Sequence, residues 1–215
     1  MGNGLTLESI LIMPVQRIPR YLLLIDNLLR LTDEDHPDYD NLVKARDQFK
    51  SIVEMMNESK RNNENFEEVK KICYKIYGFP KEMLIGVKGI KVLKSGEFIS
   101  SVDDSKIFGL ILTNCFIISK EVDRRTDKEI NKDKYKYKLE ELYQWDGLRF
   151  FVDKSKTVPY LVIEDDLKKS KLTHESEEVL QDWFMVLLGA VNDIHESEKQ
   201  QEITEEEKLH NNRQA

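Results

Sequence analysis

The chain has 215 residues, 40% of them hydrophobic and 34% charged, a balance that suits a folded, well-solvated protein and excludes a wholly disordered one. A formal net charge of −7 argues against a general nucleic-acid binder, which needs concentrated positive surface. The longest apolar runs, "YLLLI" and "FMVLLGAV", fall far short of the ~20 residues that a membrane-spanning helix requires, so any membrane contact is peripheral.

Residues 5 to 64 read at helical period. Val15, Ile18, Leu22, Ile25 and Leu29 recur at steps of three and four, and Leu24, Leu28 and Leu31 widen that stripe. Two prolines and two arginines, Pro14, Pro19, Arg17 and Arg20, crowd the same stretch. Pro14 suits the first turn of a helix, where a missing N–H costs least, and Pro19 removes the bond to the Val15 carbonyl. The segment "LTDEDHPDYDN" supplies a loop and the acidic start of a second helix. There Leu42, Ala45, Phe49, Ile52 and Met56 form a second stripe. If continuous from Asp38 to Glu64, this helix is about 40 Å long and can serve as a spine between domains.

From about Phe79 the period changes. "IKVLKSGEFIS", "KIFGLILTNCFIISKE", "KYKYKLEELYQW", "LRFFVDKS" and "PYLVIED" are β-rich runs, which gives six or seven short antiparallel strands. Thr113 and Asn114 mark a hairpin turn, with Asn114 suited to the left-handed region. Alternation in "KYKYKL" sends Lys134, Lys136 and Lys138 to one face and Tyr135, Tyr137 and Leu139 to the other, and it separates Glu140 from Glu141 in the same way. One helix then closes the segment, with Thr173 near its start and Leu180, Trp183, Leu187, Ala190 and Ile194 on its apolar stripe. Residues 196–215 carry 3 basic and 6 acidic side chains without a useful apolar spacing, and read as a frayed or disordered acidic tail.

The run "PVQRIPRYLLLIDNLL", followed by "DHPDYDNL" and "EMMNES", closely resembles the last signature region and final helix of Dbl homology domains, the exchange domains that act on Rho-family GTPases. The segment after it resembles the pleckstrin homology domain that such proteins place next. The resemblance implies an α+β chain. Residues 1–65 would be the C-terminal portion of a Dbl homology domain, 66–80 a linker helix, and 81–195 a seven-stranded antiparallel sandwich or barrel capped by a C-terminal helix. The earlier helices of the exchange domain would be missing from this stretch. It further implies a guanine nucleotide exchange factor, a GTPase regulator without covalent chemistry, whose partner is a Rho- or Rac-like GTPase. Gln16, Arg20 and Asn57 match positions that would contact that GTPase, and Arg17 would make an internal contact. The alternative is a non-catalytic GTPase-binding or scaffold module. Leu22, Ile25, Phe49 and Ile52 would lose their packing partners and could drive self-association.

Many pleckstrin homology domains bind phosphoinositides through basic residues around their first two strands. Here that region is "SSVDDSK", where Asp103 and Asp104 oppose a polyanionic headgroup. Lys91, Lys94, Lys106, Arg124 and Arg125 leave room only for weak contact with anionic phospholipid. Cys73 and Cys115 are too few for a disulfide framework and fit a reducing, cytoplasmic setting, peripheral to the inner face of the plasma membrane. His36, His174, His195 and His210 lack metal-ligand spacing, "GVKG" is not a phosphate loop, and no cofactor is expected.

Overall fold

The computed structural model describes the backbone of residues 7–214 apart from Lys88, Val102, Arg124, Lys132, Lys156 and Thr157. Side chains are described from Met13 to Lys199, excluding those six and also Pro14, Ser197 and Glu198. The chain divides into two compact units, Met1–Asn63 and Glu64–Ala215.

The first unit is a helical hairpin of α1 (Leu7–Arg30) and the greater part of α2 (Tyr39–Cys73). Contrary to expectation, Pro14 lies well inside α1 and not in its first turn. The helix tolerates the lost bonds because this stretch is solvated: Val15, whose carbonyl loses the Pro19 donor, is 50% exposed, so water can replace it. Ile18, Leu22, Ile25 and Leu29 are half-buried on α1, as are Leu42, Ala45, Phe49, Val53 and Met56 on α2. Tyr21 meets Phe49 edge-on at 6.1 Å. The α2 stripe therefore runs through Val53, and Ile52 turns outward. The residues left uncovered also differ from those expected: Leu23, Leu24, Leu28, Leu31 and Met55 are exposed, whereas Leu22, Ile25 and Phe49 are half-buried.

The second unit is an eight-stranded sheet in the order β1-β5-β4-β3-β2-β8-β7-β6, with one helix against it. The strands are β1 (Ile76–Tyr77), β2 (Val92–Ser100), β3 (Lys106–Leu112), β4 (Cys115–Glu121), β5 (Tyr137–Gln144), β6 (Arg149–Asp153), β7 (Tyr160–Glu164) and β8 (Lys169–Thr173). Strands β2 to β8 pair antiparallel, which is the seven-stranded core the sequence implied. The eighth, β1, adds a two-residue parallel bridge to β5. The segment 66–80 is thus helical only as far as Cys73. Beyond it Tyr77 enters the sheet, Gly78 takes φ 83°, and Pro80 opens a 3-10 turn at Lys81–Leu84.

The sheet is buried on two faces, which accounts for the unbroken apolar runs in β3 and β4. Ile111, Phe116 and Ile118 join Tyr143, Leu161 and Ile163 beneath α3 (Glu177–Gln214). Leu110, Leu112, Cys115 and Ile117 face the other way, onto Val69 and Cys73 at the end of α2 and onto Ile76 and Phe79 just beyond it. Helix α3 starts after Thr173, which ends β8 with its hydroxyl donating to the Pro159 carbonyl at 3.1 Å. It also continues to Gln214, where a frayed tail was expected, because residues 196–214 contain neither glycine nor proline and are rich in helix formers.

Two further local expectations fail. The hairpin turn at Thr113–Asn114 is present, but the left-handed non-glycine residue among those described is Asp104, at φ 52°. In "KYKYKL" the strand begins only at Tyr137, since the Lys134 and Tyr135 amides turn back to the Asn131 carbonyl. A bulge then shifts the register, pairing Ser119 with Leu139 and Ile118 with Glu141, so that Glu140 and Glu141 line one cavity and do not part to opposite faces.

Trp183, 2% exposed, is the wedge of the α3 side. Its indole reaches the sheet where Gly96 faces Gly109 across the β2–β3 ladder. A Cβ on Gly96 would stand 3.1 Å from the indole, and one on Gly109 would stand 3.2 Å from it and 2.8 Å from the Phe98 ring. Gly109→Ala is therefore expected to lower stability by about 1–3 kcal/mol through overpacking. Gly189→Ala, on an open face of α3, is expected to raise it by ~0.5–1 kcal/mol. Urea denaturation of the two variants checks both signs.

Candidate functional site

The residues singled out for GTPase contact all lie in the helical hairpin, and all are exposed. Gln16 and Arg20 stand one turn apart on α1, on a row that continues to Leu24 and lies away from the half-buried Ile18–Leu22–Ile25–Leu29 stripe. Asn57 is on α2, next to Met56 at the edge of that helix's own stripe. Helix α1 thus holds Gln16 and Arg20 as neighbours one turn apart, while Asn57 stands on the other helix. Arg17 is exposed as well. The row also carries exposed apolar surface: Leu24 is 61% exposed and Leu28 50%. Sequence reasoning found the polar residues but did not foresee that they share a helix face with bare leucines.

The candidate lipid residues are dispersed. Lys91 precedes β2, Lys106 begins β3, and both side chains are exposed. Lys94 is already engaged, with an ion pair to Asp182 and its ammonium 5.6 Å from the Trp183 ring. Arg125 is exposed in the loop after β4, and its amide donates to Asp123 at 2.8 Å; Arg124 lies outside the described residues. Asp103, in the β2–β3 loop, is bonded by Lys120 at 2.5 Å and by the Ser105 hydroxyl at 2.7 Å. The Lys120 ammonium first, and the Ser105 hydroxyl second, hold its carboxyl well below the usual carboxylate range.

A cavity of about 400 Å³ opens beside this loop, lined by Lys120, Lys169 and Lys171 together with Asp103, Glu140 and Glu141. Cations and carboxylates alternate around it. Lys169 is bonded to Glu164 at 2.5 Å, so the cavity offers no concentrated positive field for a polyphosphate. The lysines of β8 were overlooked because "KSKLT" is too polar to read as a strand. Burial pushes the Cys73 and Cys115 thiols up to about 12, which keeps them neutral packing groups. Among the described residues, no group of three or more His, Cys, Asp or Glu is placed to hold a metal ion, and no helix is long and apolar enough to cross a membrane.

Residues 1–57 match the RhoGEF domain, a stretch that holds Gln16 and Arg20 and ends on Asn57. Over 118 residues the chain is 37% identical to guanine exchange factor for Rac 30 of Dictyostelium discoideum, which covers 55% of this chain and 7% of that protein. It is 46% identical over 61 residues to human Rho guanine nucleotide exchange factor 17, covering 28% of this chain and 3% of that protein. The chain therefore spans less than a tenth of the length of these relatives. Among solved structures it resembles autoinhibited Vav1, with a TM-score of 0.64 and 21% identity, covering 86% of this chain and 33% of that one. It also resembles the linker and DH/PH domains of p115-RhoGEF, at 0.55 and 12%, covering 87% and 57%. Residues 1–57 are thus similar to a RhoGEF domain, and the sheet with its closing helix shares the fold of the DH/PH structures.

The Asp103 latch has a defined pH signature. An unfolded aspartate titrates near ~3.9, and the folded group titrates lower, so its stabilising contribution is complete above that value and is lost as pH falls below it. Lys120→Ala is expected to move the Asp103 titration up toward the ordinary value, followed by carboxyl NMR shifts through the acid range.

Proposed function

We propose that this chain is the C-terminal part of the exchange domain, with the following pleckstrin homology domain, of a guanine nucleotide exchange factor for a Rho- or Rac-like GTPase. The observation that carries this reading is the RhoGEF match over residues 1–57, the stretch in which Gln16, Arg20 and Asn57 stand exposed. Such a factor does no covalent chemistry. It holds the nucleotide-free GTPase more tightly than the loaded form, and it shifts that equilibrium only by the difference in affinity. In this reading Gln16 and Arg20 supply neighbouring hydrogen-bond and cationic contacts from α1, and Asn57 supplies one from α2. The protein acts in the cytoplasm and at the inner face of the plasma membrane.

The second reading, a GTPase-binding scaffold, draws on the bare leucines of α1. At about 1.5–3 kcal/mol for each large apolar side chain, a hairpin showing Leu23, Leu24, Leu28 and Leu31 to water gains from a cover, either further exchange-domain helices or a second copy of the hairpin. Without that cover the docking face is incomplete.

The test is release of a fluorescent guanine nucleotide from purified Rho and Rac proteins. Acceleration by this chain joined to its preceding helices, cut about tenfold by Arg20→Ala or Asn57→Ala for each ~1.4 kcal/mol of differential contact removed, supports exchange. Binding without any acceleration supports the scaffold.

A further inference from the structure

We propose that the open edge of β6, beside α3, takes an extended basic peptide as a further strand of the sheet. This edge lies wholly in the second unit, apart from the residues singled out for GTPase contact. Among the described residues β6 is the last strand in the sheet order and pairs with β7 alone, and no other main-chain hydrogen bond reaches Arg149–Asp153. In an antiparallel ladder every second residue turns its N–H and C=O away from the partner strand. Along β6 that outward row stands open, and an added strand is what matches it.

Helix α3 supplies apolar surface beside the edge. Phe150 and Val152 of β6 turn in beneath α3 together with Leu148. Phe184 of α3 meets Phe150 edge-on at 5.5 Å, and Glu177 at the start of α3 pairs with Lys154 just past the strand, so this side of the helix faces β6. Leu188 follows Phe184 by one helical turn on the same stripe and is 37% exposed. A strand laid along β6 turns every second side chain toward that surface.

Charge selects the occupant. At the Arg149 end of the strand a cavity of about 400 Å³ is lined by Asp146, Asp165 and Asp166 with Lys168. Lys168 is tied to Glu141 at 3.1 Å, and Arg149 is shared between Asp166 at 3.2 Å and Glu164 at 3.6 Å, which leaves the cavity acidic. The whole chain carries a net charge of −7, which draws a basic peptide and opposes a second copy of the same edge. Main-chain pairing supplies the affinity, the apolar surface decides which face of the peptide turns inward, and the acidic end decides its charge.

Fluorescence anisotropy of a fluorescein-labelled octapeptide of alternating lysine and valine, titrated with the purified chain, tests the assignment. Binding is expected, with slowed amide hydrogen exchange at residues 149–153, and an octapeptide of alternating glutamate and valine should not bind. The lysine–valine peptide N-methylated at every amide keeps its charge and side chains but has no main-chain donors, and should bind at least roughly tenfold more weakly. Asp146→Lys with Asp166→Lys should weaken binding roughly tenfold, Leu188→Ser should weaken it severalfold, and Asp133→Lys should change nothing. All four positions are exposed, so matched thermal melts are expected. No binding, equal binding by the N-methylated or the glutamate peptide, slowed exchange away from residues 149–153, or loss with Asp133→Lys would each overturn the proposal. So would a stable dimer of the chain that the peptide does not displace, since a second copy would then hold the edge.

Discussion

A single carbonyl organises the junction between helix and sheet. The Lys75 oxygen accepts two amides, from Lys136 and Tyr137, one residue pair beyond the end of α2. A helix leaves its last carbonyls without partners, and such groups are costly when buried. Here the last turn of α2 closes on itself, with the Tyr74 and Lys75 amides donating to the Lys70 and Ile72 carbonyls, and the chain then enters the sheet as β1, whose partner strand begins at Tyr137. Val69, Cys73 and Ile76 are then fixed under Leu110, Cys115 and Ile117 as one of the two cores. Tyr137 completes the join by stacking on Phe108 at 4.4 Å.

The consequence is that one helix belongs to two bodies. Residues 39–63 of α2 carry the half-buried stripe of the hairpin, and from Glu64 onward the same helix supplies the floor of the β unit. The sequence changes character at that point, because Val69 and Cys73 are fully buried while none of the hairpin's described side chains is. Among the described residues the hairpin is held by partial burial and by the ring contact of Tyr21 on Phe49. The β unit has two closed clusters, with α3 covering the second.

Strong periodicity made the helices and the longer strands legible. Apolar steps placed α1, α2 and the Leu180–Trp183–Leu187 stripe, and β-branched runs placed β2 to β7. What escaped was set by tertiary context. "KSKLT" becomes β8 because its backbone pairs with β2 and β7, although only Leu172 is buried. Ile76 and Tyr77 form a strand too short to show a period. The bulge opposite Ser119 undoes the alternation that would separate Glu140 from Glu141, and no residue in that stretch announces it. On the hairpin the polar residues Gln16, Arg20 and Asn57 were singled out by a motif, but which leucines stay bare is set by the face of α1 that the fold half-buries, at Ile18, Leu22, Ile25 and Leu29. The lysines and tyrosines of 134–138 were read as strand alternation, since only the paired backbone of Lys75 and Lys136 shows that the chain just after α2 meets the β4–β5 loop.

The indole seated over facing glycines has an optical consequence. The chain has two tryptophans, Trp145 and Trp183, and both are in the α3-side core, 8% and 2% exposed. Their emission therefore reports on that core, and the helical hairpin, which holds no tryptophan, adds nothing to it, so tryptophan light follows the β unit by itself.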